Sequence, residues 1–67
     1  MIRQWLKEAR DEQGVSQKYV SDKVKIAQPY YHQIESGERR PSVEVAKRIA
    51  ATLGVDWTKF FEEEKSA

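Results

Sequence analysis

The sequence predicts an all-α fold of five short helices, and three observations carry that prediction. Apolar residues recur at helical spacing in successive windows, with no strand-like alternation of useful length. All three glycines, Gly14, Gly37 and Gly54, fall just beyond such windows, where a left-handed residue closes a helix. Ser16, Ser42 and Asp56 stand ahead of windows, with side-chain oxygens suited to the free N–H groups of a first turn.

Taken in order, Ile2, Trp5, Leu6 and Ala9 lie at i, i+3, i+4 and i+7 and define one face of a first helix that stops at Gly14. Ser16 caps a second, very short helix with Val20 and Val24 on one side, and Lys25-Ile26-Ala27 makes the next turn. A third helix is expected from about Gln28 to Glu35, with Pro29 in its first turn, where a missing N–H costs little. Arg39-Arg40-Pro41 is expected to be extended, because the residue before proline avoids the helical region. Ser42 caps a fourth helix carrying Val43, Ala46, Ile49, Ala50 and Leu53, and Asp56 caps a fifth with Trp57, Phe60 and Phe61. Helices this short are unstable alone and must form by packing around a shared core.

Composition sets the limits. A chain of 67 residues is expected to form one domain, residues 1–67, ending in an acidic tail from about 62 that holds Glu62-Glu63-Glu64. Stability should be small, about 5 kcal/mol on a per-residue basis. With no Cys there is no disulfide scaffold, Cys-based zinc site or thiol nucleophile, and one His cannot supply a His pair for a metal. No apolar run is long enough to span a membrane, and no leader pattern opens the chain. No nucleophile–base constellation is visible, so an enzyme is not expected, nor a metal, cofactor or small-molecule substrate. The 12 Lys+Arg against 11 Asp+Glu give a net charge of +1, which by itself argues neither for nor against nucleic acid.

The second and third helices, joined by a tight turn, form a helix-turn-helix pattern, with Val20, Val24, Ile26, Tyr31 and Ile34 as the apolar hinge. In such a pair the first helix packs on the second and leaves the second's outer face free to enter the DNA major groove. From Leu6 to Phe61 the chain resembles the Cro/C1-type (Xre) helix-turn-helix family, which includes lambdoid phage repressors. The resemblance rests on Leu6 with Arg10, Gly14-Val15-Ser16-Gln17, Ile34-Glu35-Ser36-Gly37, Arg40-Pro41-Ser42 and Leu53-Gly54-Val55, in that order and spacing. It implies a compact, lambda-repressor-like five-helix domain, cytoplasmic and prokaryotic or phage-encoded. The implied function is sequence-specific binding of double-stranded DNA, most often as a repressor and as a homodimer on a palindromic operator. The alternative is a protein-interaction module, such as an antitoxin or accessory regulator whose main partner is another protein.

The resemblance also implies residue roles. Gln17 would contact a phosphate and brace the recognition helix. Gln28 would read adenine, whose N6 and N7 match the donor and acceptor of a carboxamide. A helical wheel with Tyr31 and Ile34 inward turns Pro29, His32, Gln33 and Ser36 outward. Pro29 and Gln33 are thus candidate base contacts, and His32 a candidate phosphate contact. For Tyr30 two arguments disagree: periodicity buries it, whereas the family places this position toward DNA, and an amphipathic ring can do both. Ser16, Ser36, Arg39 and Arg40 are expected at the sugar–phosphate backbone. Arg10 and Glu35 are expected to form a buried structural ion pair. Trp57 and Phe60 are expected to complete the core, with Phe61, part of the fourth helix and also Trp57 as candidates for the dimer surface.

Two positions depart from the family pattern. Lys25 stands where glycine is usual, and a left-handed Lys costs on the order of 1 kcal/mol. Ala27 stands where a capping Ser or Thr is frequent, so either Gln28 caps a helix starting one residue later or a cap is missing. Charge is unevenly spread. From Gly14 to Pro41 five basic residues oppose three acidic ones, a net of +2; from Ser42 onward four oppose five, a net of −1. The reading half is expected to be mildly basic and the assembly half acidic, with the tail held off the DNA.

Overall fold

The computed structural model describes residues 2–62. Its helices are α1 (Gln4–Gln13), α2 (Gln17–Val24), α3 (Gln28–Ser36), α4 (Val43–Leu53) and α5 (Lys59–Glu62), with no strand among the described residues. Residues 63–67, most of the expected acidic tail, lie outside the described residues, while Glu62 closes α5 rather than opening a tail.

Local chemistry explains the boundaries. The Ser16 hydroxyl accepts from the Tyr19 N–H at 3.0 Å, and that of Ser42 from the Val45 N–H at 3.2 Å, so α2 and α4 both begin at a side-chain cap. The Asp56 carboxylate accepts from the N–H and the hydroxyl of Thr58 at 3.0 and 2.7 Å, which turns the chain into α5 and holds that carboxyl below its usual range. Lys25 is the one positive-φ residue other than glycine among those described, at φ 62° and ψ 47°. Its N–H and that of Ile26 satisfy the carbonyls of Asp22 and Ser21 at 3.3 and 3.0 Å. Hydrogen bonding at the end of α2 thus holds a side-chain-bearing residue in a strained conformation. Ala27 is the N-cap of α3 and makes no side-chain cap bond, which resolves the alternative left by the sequence: Gln28 is already helical and the cap is absent.

Packing gathers α2 on α3 and α4, and α1 on α3 and α4. The core consists of Leu6, Val20, Val24, Tyr31, Ile34, Ala46, Ile49, Leu53 and Phe60. Phe60 carries α5 into this core, where Trp5 meets it edge-on at 4.9 Å between ring centroids. Two expectations fail. Ile2 precedes α1 and is 57% exposed, and Val43, at the first position of α4, is 49% exposed. Both fit the periodic stripe but sit at helix starts, where the chain has not yet turned its face to the core. In place of Ile2 the neighbouring Arg3 is buried.

Replacing Lys25 with glycine should raise stability by about 1 kcal/mol, the cost of a left-handed side-chain-bearing residue. In a domain of this size that is a gain of roughly 4–8 °C in melting temperature. A thermal melt followed by circular dichroism measures it, and an unchanged or lower midpoint contradicts the assigned strain.

Candidate nucleic-acid interface

The orientation of α3 is set near its C-terminal end. Glu35 is buried there, and its carboxylate receives Arg10 from α1 and Gln17 from α2. Arg10 donates from Nε at 2.9 Å and from Nη2 at 3.0 Å, a forked pairing that fixes both distance and angle. Gln17 Nε2 adds a bond to Oε1 at 3.1 Å, and Arg10 Nη1 reaches back to the Val15 carbonyl at 2.9 Å. One carboxylate thereby joins α1, the α1–α2 loop, α2 and α3.

Burial acts to raise the Glu35 pKa, but the hydrogen bonds from Arg10 and Gln17 outweigh it and hold the carboxyl below its ordinary value. The same bond raises the pKa of Arg10 against the opposing effect of its own burial. The Tyr31 hydroxyl is buried close enough to feel this carboxylate but has no partner at hydrogen-bonding geometry. Burial, reinforced by the Glu35 charge, pushes that phenol far above its normal range.

With Tyr31, Ile34 and Glu35 turned inward, the opposite side of α3 faces solvent. Gln28, Pro29 and His32 are exposed there and, with Gln17, line one shallow depression across the α2–α3 junction. A second hollow beside it is lined by Lys7, Gln17, His32 and Ser36, among others. The fold therefore brings together the expected contacts at the start of α2 and on the outer face of α3.

Gln33 and Tyr30 lie on the flank and are half-buried. Tyr30 packs its ring against the core and carries the Arg39 guanidinium at 5.8 Å from the ring centroid, which explains how periodicity and resemblance both had a claim on it. The Ser36 hydroxyl turns toward the α3–α4 loop, within 3.1 Å of the Gln33 carbonyl and 3.2 Å of the Glu38 carboxylate. Its neighbour there is an anion, a poorer setting for phosphate than the sequence suggested. Arg39 and Arg40 are exposed in the same loop. Trp57 and Phe61 meet edge-on at 6.0 Å and, with the exposed Val43, line a separate groove of about 350 Å³ at the α4–α5 end.

Sequence reasoning missed Arg3. Its backbone N–H donates to the Glu35 carbonyl at 2.8 Å, and its Nη1 to the carbonyls of Ile34 and, at 2.9 Å, Arg39. Nothing in the sequence singled it out, because its partners are backbone carbonyls far along the chain.

This geometry defines a helix-turn-helix module whose second helix is locked on one side and open on the other. The helix-turn-helix family model matches residues 6–60. An uncharacterized HTH-type transcriptional regulator of Bacillus subtilis (strain 168), YqaF, is 49% identical over 63 residues, covering 94% of this chain and 83% of that protein. The HTH-type transcriptional regulator DdrOP3 of Deinococcus deserti is 34% identical over 50 residues, covering 75% of this chain and 39% of that longer protein. No solved structure matches. The chain belongs to the Cro/C1-type helix-turn-helix family.

Two tests address the ion cluster. Arg10→Ala strands a buried carboxylate and should cost roughly 3–5 kcal/mol, a large part of the stability of so small a chain, so an unchanged melting curve contradicts it. The pH response follows from the sign of the Glu35 shift. Its folded-state pKa lies below the unfolded value near 4.5, so its contribution is complete above that value and is lost as pH falls through the folded pKa. Acid titration of the melting temperature should therefore show a steeper fall below that pH in the native chain than in Glu35→Gln.

Proposed function

We propose that the chain is a sequence-specific transcriptional repressor that inserts α3 into the major groove of duplex DNA and acts as a homodimer on a palindromic operator. The observation that carries this reading is the division of α3 between an inner side held by Tyr31, Ile34 and Glu35 and an outer side presenting Gln28, Pro29 and His32. A rigid, exposed helix of this kind is what the groove admits. Membership of a family whose two matching relatives are named as transcriptional regulators supports the same reading.

Gln28 is the proposed adenine reader, since its carboxamide offers one donor edge and one acceptor edge at the N-terminal tip of α3. Pro29, Gln33 and the rim of Tyr30 are proposed to line the base edges. Gln17 has two N–H groups: one serves Glu35, leaving the other for a phosphate. Ser16, His32, Ser36, Arg39 and Arg40 are the proposed backbone contacts. Ser36 is the weakest of these because of Glu38.

A single recognition helix reads only a few base pairs, so two-fold pairing on half-sites about one DNA turn apart supplies the remaining specificity. The proposed dimer surface is the Val43, Trp57 and Phe61 groove, which lies apart from the hollows around Gln17 and His32. Repression is the proposed mode because occluding a promoter requires only tight binding.

Selection from a random duplex library tests the reading and should return a two-fold symmetric motif, whereas the absence of any enriched motif contradicts direct readout. On the selected site, Gln28→Ala should lose roughly 1–3 kcal/mol of discrimination at one base position. Arg39→Ala should weaken all sequences alike and lower the salt dependence by about one phosphate. A chain that retains a protein partner but selects no DNA would favour the protein-interaction alternative.

A further inference from the structure

Arg3 is a long cation that is buried, while Ile2, which the first-helix stripe placed inward, is exposed. Its guanidinium lies 5.8 Å above the buried Phe60 ring, which Trp5 holds in place from the side. Above that ring, Nη1 bridges two carbonyls that belong to different structures. Ile34 is in the last turn of α3, and Arg39 is in the loop beyond it. The bridge therefore spans the point where the recognition helix ends and the chain turns away.

The Arg39 residue at the far end of that bridge is held at two further points. Its N–H donates to the Gln33 carbonyl at 3.2 Å, next to the Glu38 N–H on the same oxygen at 2.9 Å. Its own guanidinium stacks on Tyr30 of α3 at 5.8 Å. Gly37 makes the reversal possible by adopting φ 87°, where a side chain would be strained. The N–H bonds to Gln33 close the end of α3, and the stacking on Tyr30 adds a restraint on the Arg39 side chain itself. A cation that must meet a backbone phosphate gains from it, because less rotational freedom is lost on binding.

We infer that Arg3 is a positioning residue for DNA binding: it clamps the Gly37–Arg39 loop to the end of α3 over Phe60 and so sets where the Arg39 side chain meets the sugar–phosphate backbone. This rests on the DNA-binding reading above and adds a residue outside the helix-turn-helix unit. It also makes the phosphate grip depend on α5, because Phe60 is the floor on which the Arg3 guanidinium sits.

The test is a double-mutant cycle with Arg3→Met, which keeps an unbranched apolar side chain over Phe60 but removes every side-chain donor, and Arg39→Ala. Affinity for the selected duplex is measured at several salt concentrations, at a temperature where circular dichroism shows all variants folded. If Arg3→Met does not fold, Arg3→Leu, which likewise carries no side-chain donor, takes its place in the cycle. In parallel, amide hydrogen exchange of Glu38 and Arg39 is measured in the free protein and compared with the globally protected core amides.

Arg3→Met should bind several-fold more weakly with a shallower salt dependence, and that loss should disappear in the Arg39→Ala background. The Glu38 and Arg39 amides should exchange faster by more than any change at the core. Additive losses, meaning that Arg3 acts other than through Arg39, overturn the inference. So does loop exchange that changes only as much as the core. If the unmutated chain binds no duplex, the DNA reading falls and the positioning role falls with it, while the loop exchange still decides separately whether the clamp exists.

Discussion

The structure depends on one buried carboxylate. Glu35 lies at the end of the helix that presents the candidate reading face, and an uncompensated charge there would be intolerable. Its compensation comes from two separate helices, Arg10 through a forked pair and Gln17 through a single bond. Because such bonds are directional, they fix the rotation of α3 about its own axis more sharply than the surrounding Val, Ile and Leu contacts can. A buried ion pair is weak evidence for added stability, since apolar residues of similar volume could do as well. Its value here lies in orientation, because the side of α3 that remains exposed is decided by where Glu35 must point.

Around that fixed end the module tolerates local imperfection. The turn before α3 uses a left-handed Lys25, and α3 starts at Ala27 without a side-chain cap. Both features leave stability unclaimed at the N-terminal end of α3, next to Gln28 and Pro29. At the C-terminal end the reverse holds. Arg10 and Arg3 both arrive from the N-terminal segment, bringing two cations to the carbonyl end of a helix that has none of its own in its last turn. The helix is anchored firmly at its base and lightly at its tip.

Much of this was legible in the residues. Gly14, Gly37 and Gly54 marked three helix ends, and the hydroxyls of Ser16 and Ser42 marked two starts, because capping chemistry is local. The split of α3 into inner and outer sides followed from placing Tyr31 and Ile34. Periodicity failed at Ile2 and Val43, since spacing does not say where the helix begins to face the core. It placed Tyr30 inward, whereas the ring is half-buried between core and solvent. Arg3 was invisible because its partners, Ile34 and Arg39, are 31 and 36 positions away and are backbone carbonyls that carry no residue signature. The loop carboxylate that meets Ser36 was likewise hidden, because a two-residue separation in a loop says nothing about contact until the turn is known.

On the proposed reading, α3, held by Glu35, offers its outer face to DNA. The most direct measurement is an amide chemical-shift titration of the intact chain with its selected duplex. The largest changes should fall on Gln28, His32 and the Gly37–Arg40 loop, with the start of α2 following and the core amides of α4 little moved. Changes confined to the Val43, Trp57 and Phe61 groove, with α3 silent, would contradict it.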